Sequence, residues 1–252
     1  MTETLARRAE SPTRSGRETS AAVRLRRMHD RLAEAYGPQF WWPAESAFEM
    51  ILGAYLTQNT SWKAVERSLG NLRAAGTLSI AGVRAISEEK LRQLIRPSGF
   101  ITRKAPALKA FVAMLDAEFG GSLKRLAAAP TSELRRRLLA LPGVGGETAD
   151  AIMLYALGHT VPVADEYLRR IAERHRLVDT GPGRPRYDAL TDLTQSAFAG
   201  DPEGSRARLF NEFHALNVAV GKAHCGRTPR CEGCPLEYDL RFNGTAKRTE
   251  SR

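Results

Sequence analysis

The stretch that decides the fold is Leu141-Pro142-Gly143-Val144-Gly145-Gly146-Glu147-Thr148. It lies between two segments with helical apolar periodicity, so we expect a tight hairpin that joins two helices. Gly143, Gly145 and Gly146 permit positive φ angles and a close approach of the backbone to a partner. The second helix would then begin with free N–H groups and the positive end of its dipole, which bind phosphate without reading bases. An ordinary tight turn between helices is the alternative.

The same helical spacing of apolar residues runs through most of the chain on either side of the hairpin. Residues 48–56 carry apolar side chains in the i, i+3, i+4, i+7 pattern, and residues 108–119 and 149–157 repeat it. Alternating patterns typical of strands are almost absent, because the alternating stretch at 161–163 is too short to build a sheet. The sequence therefore predicts an all-α protein.

The composition limits the classes of function. The 252 residues include 38 Lys and Arg against 28 Asp and Glu, which gives a net charge of +10. This basic balance favours a polyanionic partner, and we expect double-stranded DNA, with plain solubility charge as the alternative. No apolar run has the length of a membrane span, so no membrane partner is expected. Three cysteines in 252 residues are too few for a disulfide scaffold, so we expect the protein in the reducing cytoplasm. We also expect it to be a monomer.

Two further motifs follow the hairpin. One is Val163-Ala164-Asp165-Glu166-Tyr167-Leu168-Arg169, and the other is Cys225-x5-Cys231-x2-Cys234. With the hairpin, and in this order and spacing, they make the chain resemble the endonuclease III relatives in the helix-hairpin-helix superfamily of DNA glycosylases. The resemblance covers most of residues 40–240. It implies an all-α, two-domain endonuclease III fold with a helix-hairpin-helix motif at 141–146 and an iron–sulfur cluster loop at 225–234.

The resemblance also divides the chain into domains. We expect residues 46–157 to form a helical barrel domain that includes the hairpin. Residues 21–45 and 158–241 would together form a second helical domain that includes the cluster loop. Residues 1–20 and 242–252 are expected to be tails, the first because it is polar and lacks apolar periodicity. The active-site cleft would lie between the two domains.

By the resemblance, Asp165 is the catalytic residue and lies near the mouth of the cleft. Base excision breaks the bond between a base and its deoxyribose through a transition state with positive charge on the sugar. A carboxylate beside C1′ stabilises that charge and orients the attacking water. From the residues alone, an Asp at the start of a helix is more often an N-cap, and the two roles are compatible.

Glu147 departs from the family pattern. Bifunctional relatives carry at this position a lysine that attacks C1′ and forms a Schiff base, which leads to strand cleavage. Because a carboxylate cannot form an imine, we expect a monofunctional enzyme that hydrolyses the glycosidic bond with water. Glu147 could be a second catalytic carboxylate, could favour the start of its helix electrostatically, or could help to shape the base pocket.

A flipped base needs aromatic faces on which to stack. Trp41, Trp42 and Phe48 supply such faces and are similar to the branch of the family that removes 3-methyladenine. In that branch an aromatic pocket accepts an electron-poor, cationic alkylated purine. The alternative is that all three are core residues. Gln58 is expected to fill the gap left by the flipped base, with a simple helix C-cap as the alternative.

The cysteines lie close together in one loop, as Cys225, Cys231 and Cys234. The loop of the family, C-x6-C-x2-C-x5-C, holds a [4Fe–4S] cluster. Here the first gap is one residue shorter, and Leu240 stands in the place of the fourth cysteine. Asp239 is the nearest candidate for the fourth ligand by spacing, and His224 is the second. A Cys3His zinc site and an empty loop are the alternatives.

Lys222, just before this loop, is expected to contact a DNA phosphate. A lysine near this point lines the active site in the alkylpurine branch, and that role is the alternative for Lys222. Taken together, the motifs predict a DNA repair glycosylase that hydrolyses the N-glycosidic bond of a damaged, for example alkylated, base in duplex DNA. A non-catalytic DNA-binding protein with a degenerate active site is the alternative, and an adenine-mismatch glycosylase is a less favoured third interpretation.

Overall fold

The computed structural model of the chain describes residues 14–42, 44–179 and 183–242. These residues form helices and contain no strand, as the periodicity predicts. The α-helices are α1 (Arg14–Tyr36), α2 (Ala47–Thr57), α3 (Trp62–Ala74), α4 (Ile80–Ala85), α5 (Glu88–Leu94), α6 (Ile101–Phe119), α7 (Leu123–Ala127), α8 (Thr131–Leu139), α9 (Gly146–Ala151), α10 (Glu166–Arg174), α11 (Tyr187–Ala197), α12 (Glu203–Ala223) and α13 (Glu237–Phe242). A 3-10 turn spans Arg96–Ser98, and a π-helical turn, Ile152–Ala156, continues α9.

The predicted tails fall at the limits of this description. Residues 1–13 and 243–252 lie outside the described residues. The first helix begins at Arg14, inside the segment that the sequence assigned to the N-terminal tail. The last helix ends at Phe242.

The helices pack in two groups. In the first, α2 contacts α3, α6 and α9, α6 contacts α4, α5 and α7, and α8 packs on α9. In the second, α1 and α10 each pack on α11 and α12. The groups meet where α12 contacts the π-helical turn. No helix in the described part of the chain is long and apolar enough to cross a membrane.

Helix α2 is buried on all sides and forms the centre of the first group. Every residue from Phe48 to Leu56 is buried. The one charged side chain among them, Glu49, accepts a hydrogen bond from Arg73 at 2.8 Å, which offsets the cost of removing its charge from water. Because α2 is packed on all sides, the backbone position of Gln58 at its C-terminal end is fixed.

A buried charged cluster joins α1, α10 and α13. Asp239 accepts hydrogen bonds from the Arg24 guanidinium at 2.9 and 2.7 Å and from Nδ1 of buried His175 at 2.8 Å. Burial alone would raise the pKa of Asp239, but the bonds from His175 and Arg24 outweigh it and lower the pKa to about 2. Both carboxylate oxygens are engaged by these partners, so Asp239 would have to exchange one of them to serve as the fourth cluster ligand.

We predict that Asp239→Ala lowers the free energy of unfolding by about 3 kcal/mol at neutral pH, because it leaves His175 and Arg24 without their acceptor. A carboxylate with a lowered pKa stabilises the fold above its unfolded pKa of about 4. The difference between variant and wild type should therefore shrink as the pH falls towards 2, which urea unfolding at a series of pH values measures. The control is Glu34→Ala, which removes an exposed ion pair on the same helix as Arg24 and should cost below about 1 kcal/mol. Equal losses in both variants would contradict the role given to Asp239.

Candidate active site

The three glycines of the hairpin between α8 and α9 are under different structural constraints. Gly143 has a φ of +74°, a region that side chains other than glycine rarely adopt. A Cβ on Gly146 would lie 2.8 Å from Cδ1 of Tyr187, so close packing requires glycine there. Gly145 has neither constraint: its φ is −99°, and a Cβ would meet nothing within 4 Å. As the N-cap of α9, Gly145 leaves the first amides of the helix without a side-chain cap.

Hydrogen bonds among three residues, Asp150, Arg135 and Tyr187, stabilise the hairpin. Asp150 of α9 is buried, and the Arg135 guanidinium of α8 donates to it at 2.8 Å. The hydroxyl of Tyr187 on α11 donates to the same carboxylate at 2.7 Å. These bonds fix the angle between the two hairpin helices and tie the hairpin to the second group of helices.

Gln58 is anchored on the hairpin. It follows the last residue of α2 as its C-cap, and its side-chain amide donates to the Gly143 carbonyl and to the Thr148 hydroxyl, both at 2.9 Å. Gln58 is therefore the C-cap of α2 and also lies against the hairpin between α8 and α9. The next residue, Asn59, has a φ of +53°, so the chain turns sharply away directly after Gln58.

Asp165 begins α10 as its N-cap. Its Oδ1 accepts the N–H of Leu168 at 2.7 Å, and the residue is 6% exposed. Its Oδ2 faces Nε2 of His214 at 3.7 Å. The cap predicted from the residues alone is confirmed, and it occupies one carboxylate oxygen while the other points to a different partner.

His214 and Tyr155 were not predicted from the sequence, yet they lie beside Asp165. The Tyr155 hydroxyl is 2.7 Å from Nδ1 of His214. Tyr155 belongs to the π-helical turn, in which Leu157 donates to the carbonyl of Ile152. Such turns are frequent at functional sites, but apolar periodicity does not reveal them. One available signal was a histidine among the buried residues of a long helix.

Glu147 lies in the first turn of α9, at the edge of the same site. The residue is exposed by its overall surface, while the protein on one side of it partly desolvates the carboxylate. Burial first, and the negative charge of Asp165 second, raise the pKa of Glu147 to about 7, whereas His214 opposes the rise. These mutual effects place Glu147, Asp165 and His214 in one electrostatic unit.

Two tryptophans from the loop between α1 and α2 pack against His214 and Tyr155 at one side of this site. The rings of Trp41 and Trp42 stack with centroids 5.5 Å apart and an angle of 19° between their planes. The Trp41 ring meets His214 edge-on at 5.2 Å, and the Trp42 ring meets Tyr155 at 5.4 Å. Because the two indoles stack on each other, a base would have to stack on an outer face of the pair.

The floor under Trp42 is Gly53 of α2. A Cβ on Gly53 would lie 3.4 Å from the indole, an ordinary van der Waals distance, so the ring lies about one methyl group above the helix backbone. Phe48, near the start of α2, is 5% exposed and packs in the hydrophobic core. This position favours the alternative interpretation of Phe48 as a core residue.

The arrangement can now be compared with known proteins. Residues 52–194, which include the hairpin, Glu147 and Asp165, match the family described as HhH-GPD superfamily base excision DNA repair protein. The chain belongs to this superfamily. A protein of Methanocaldococcus jannaschii named as a DNA repair glycosylase is 37% identical over 207 residues, which are 82% of this chain and 90% of that protein. A thymine-DNA glycosylase of Aeropyrum pernix is 29% identical and covers 78% of this chain and 82% of its own.

Solved structures agree with this family. The 3-methyladenine DNA glycosylase of H. pylori, bound to 1,N6-ethenoadenine, aligns with a TM-score of 0.67 and 30% identity, over 81% of this chain and 97% of that one. A trapped endonuclease III–DNA intermediate, at 20% identity and a TM-score of 0.68, shows the same fold over 86% of this chain and 94% of its own. The protein is thus a DNA N-glycosylase of base excision repair with the endonuclease III fold.

The cysteine loop of this glycosylase is tied to the helix that Asp165 caps. Arg174 of α10 donates to Sγ of Cys225 at 2.9 Å and to the carbonyls of Gly226 and Arg227. Arg170, one turn earlier, donates to the Cys225 carbonyl at 2.9 Å. The position of the loop is therefore set by α10.

The donor set of the loop fits an iron–sulfur cluster in its chemistry. The three cysteines lie within one loop, and burial first, then the charges of Cys225 and other neighbours, raise the pKa values of the Cys231 and Cys234 thiols. Cys234 also lines a cavity of about 800 Å³ beside the loop. Among the described residues, no group of three His, Cys, Asp or Glu side chains is arranged to hold a metal ion. Nδ1 of His224 bonds the Arg230 carbonyl at 3.0 Å, which leaves Nε2 as its acceptor nitrogen.

Lys222 is exposed in the last turn of α12. The preceding Gly221 packs so closely on Tyr167 that any Cβ there would clash with the ring. This close packing fixes the end of α12 and leaves the Lys222 ammonium at the surface. An exposed position suits a phosphate contact better than a place in the active site.

We predict that Gly145→Ala weakens duplex binding without changing stability. A methyl group there meets no protein atom within 4 Å and needs no unusual φ, so the thermal midpoint should stay at the wild-type value. It would project into the space in front of the uncapped amides, where a phosphate must approach closely. Gly146→Ala is the contrasting control, because its Cβ strikes Tyr187 and should lower the thermal midpoint. Unchanged duplex affinity in Gly145→Ala would show that the hairpin does not face DNA.

Proposed function

We propose that this glycosylase is monofunctional and hydrolyses the bond between deoxyribose and an alkylated, electron-poor purine in duplex DNA. One observation carries the proposal: Asp165 lies 3.7 Å from His214, which packs against the stacked indoles of Trp41 and Trp42. Glu147 lies close enough for the charges of Asp165 and His214 to act on it. Duplex binding would come from the hairpin amides, from Gln58 and from Lys222.

In the proposed reaction, Asp165 acts on charge that develops at C1′. The bond from C1′ to the base nitrogen breaks, and its electron pair leaves with the base. The carboxylate stabilises the positive sugar, and water adds to C1′ and gives up a proton to a carboxylate of the site. Because Oδ1 of Asp165 is held by the N–H of Leu168, Oδ2 is the oxygen left to face the sugar.

The choice of an alkylated purine rests on charge and on aromatic surface. Alkylation can leave the base positively charged, and a cation is stabilised against the π face of a tryptophan. The negative charge of Asp165 adds to this preference. The H. pylori relative, whose name refers to 3-methyladenine, supports the same class of substrate.

Glu147 would serve the departing base. With a pKa of about 7, it is protonated below that pH and then offers a hydrogen bond or a proton to a base that leaves without a positive charge of its own. A base that is already cationic needs no such proton. We therefore assign Glu147 the role of second catalytic carboxylate for neutral lesions such as 1,N6-ethenoadenine.

On a panel of duplexes carrying 3-methyladenine, 1,N6-ethenoadenine, thymine glycol, uracil or mismatched adenine, we expect release of the two modified purines. Asp165→Asn should release neither while binding the duplex as tightly as wild type, because the carboxylate acts on charge that exists only in the transition state. Released base is measured after hot alkali has cut the abasic product. Preferred release of thymine glycol or mismatched adenine would contradict the proposed substrate, and full activity of Asp165→Asn would contradict the mechanism.

We predict that borohydride traps no covalent adduct between the protein and a lesion-bearing duplex. The chain carries a carboxylate at Glu147, where the imine chemistry of bifunctional relatives needs an amine. Gel electrophoresis in denaturing conditions detects such an adduct directly. Glu147→Lys supplies the amine and serves as the matched positive variant. Efficient trapping by the wild-type protein would mean that another amine, with Lys222 the first to test, performs lyase chemistry.

We further propose that the cysteine loop holds an iron–sulfur cluster through Cys225, Cys231 and Cys234. The cluster would have a structural role, since it would fix a loop that carries Arg227 and Arg230 towards the DNA backbone. The cluster would contribute to DNA binding and not to the reaction, because the proposed hydrolysis uses only the side chains of Asp165 and Glu147.

For anaerobically purified protein we expect brown colour, absorbance near 400 nm, and iron and sulfide in near-equal amounts. Three thiolates leave one iron without a cysteine ligand, so oxidation should convert the cluster to a three-iron form that electron paramagnetic resonance detects. His224→Ala should speed this loss if His224 is the fourth ligand, whereas Asp239→Ala should not, because Asp239 is engaged by Arg24 and His175. Less than about one iron per chain would contradict the cluster.

A further inference from the structure

His214 and Tyr155 take no part in the reaction as proposed so far, although they link the base pocket to Asp165. His214 is 6% exposed in the middle of α12, and Tyr155 lies in the π-helical turn of the other group of helices. Their side chains meet at 2.7 Å. A buried imidazole is costly unless its ring nitrogens have partners, so the identity of those partners carries information.

We propose that His214 is a positioning residue that holds the Asp165 carboxylate in the orientation that stabilises charge at C1′, and that Tyr155 selects the required tautomer of His214. This inference rests on the proposed function of Asp165.

The tautomer follows from the acceptors available to Tyr155. Its hydroxyl can donate to Nδ1 of His214 at 2.7 Å or to the Asn211 carbonyl at 3.5 Å, and the shorter bond is much the stronger. When Nδ1 accepts, it carries no proton, and the proton of the neutral ring lies on Nε2. That N–H then points to Oδ2 of Asp165, 3.7 Å away.

A distance of 3.7 Å is longer than a hydrogen bond and short enough for a strong electrostatic attraction. Hydrogen bonds of active sites are often long in the free enzyme and shorten in the complex with substrate. Since Oδ1 is already fixed by the Leu168 amide, one short movement of His214 would fix both oxygens of Asp165. A carboxylate with both oxygens held has little freedom to turn away from the sugar.

The groups that surround His214 connect this device to the base pocket. Trp41 packs edge-on against the imidazole at 5.2 Å, with 69° between the ring planes. The charged and titratable groups that face the ring are Asp165 at the start of α10, Glu147 in α9 and Tyr155. A base stacked on the indole pair would therefore lie against an indole pair that itself packs on the imidazole beside Asp165.

The test uses two abasic analogues, so it does not depend on which lesion is released. One duplex carries neutral tetrahydrofuran, and the other carries a pyrrolidine whose protonated nitrogen resembles the charge at C1′. Wild-type protein should bind the cationic duplex about 100-fold or more tighter than the neutral one, as expected of a transition-state analogue. Asp165→Asn should abolish this preference.

His214→Ala should reduce the preference by about 10- to 100-fold, since a misplacement of about 1 Å can cost that much, and should leave affinity for the neutral duplex unchanged. His214→Gln supplies an amide N–H from nearly the same place and should retain most of the preference. An equal loss of affinity for both duplexes would mean that His214 has a general structural role, which overturns the proposal. So would an unchanged preference in His214→Ala when Asp165→Asn abolishes it, and in that case the proposed function would stand.

Tyr155→Phe tests the tautomer. In the wild-type background it should lower the preference for the cationic duplex, because Nδ1 is then free to carry the proton. In the His214→Gln background it should have no effect, because an amide has no tautomer to select. Equal effects in both backgrounds would show that Tyr155 acts by packing against Trp42. If the wild-type protein shows no preference and Asp165→Asn changes nothing, the proposed function itself fails.

Discussion

The site depends on the hydrogen bond from the Leu168 amide to Oδ1 of Asp165. An N-cap of this kind contributes about 1 kcal/mol to its helix, so the fold itself holds the carboxylate in place. The bond leaves Oδ2 to the cleft and to His214. It also fixes the start of α10, and with it Arg170 and Arg174, which hold the cysteine loop. Under the proposed mechanism the group that acts on the sugar is also a helix cap, so it cannot move away without a cost to stability.

Local signals were sufficient for the hairpin and for the start of α10. Glycine is required at position 143 because the backbone has a positive φ there, and at position 146 because Tyr187 packs too closely for a Cβ. The helical fold followed from apolar spacing, which reports burial along each helix independently of its partners. The N-cap at Asp165 is confirmed, and its catalytic role was assigned because a family motif coincides with the cap at that position. These features are all encoded within a few consecutive residues.

Features that depend on distant pairs were missed, or were assigned from spacing and residue type alone. Tyr155 and His214 are 59 positions apart, and their contact depends on a π-helical turn that periodicity does not mark. Asp239 had the right spacing for a cluster ligand, but its partner Arg24 lies 215 positions away. Phe48 was grouped with Trp41 and Trp42 by residue type, whereas its place on α2 directs it into the core. Sequence spacing shows which residues are close along the chain. It does not show which residues from distant parts of the chain form hydrogen bonds with them in the folded protein.

The contact between Gly53 and Trp42 has a consequence for how such enzymes diverge. A Cβ at position 53 would meet the indole at 3.4 Å, an ordinary van der Waals distance, so the gap between ring and helix backbone holds one methyl group and nothing larger. A residue larger than alanine at position 53 would displace the indole from α2. Under the proposed function, such a change alters the surface offered to a stacked base from beneath the indole pair, while every group assigned to the chemistry stays as it is.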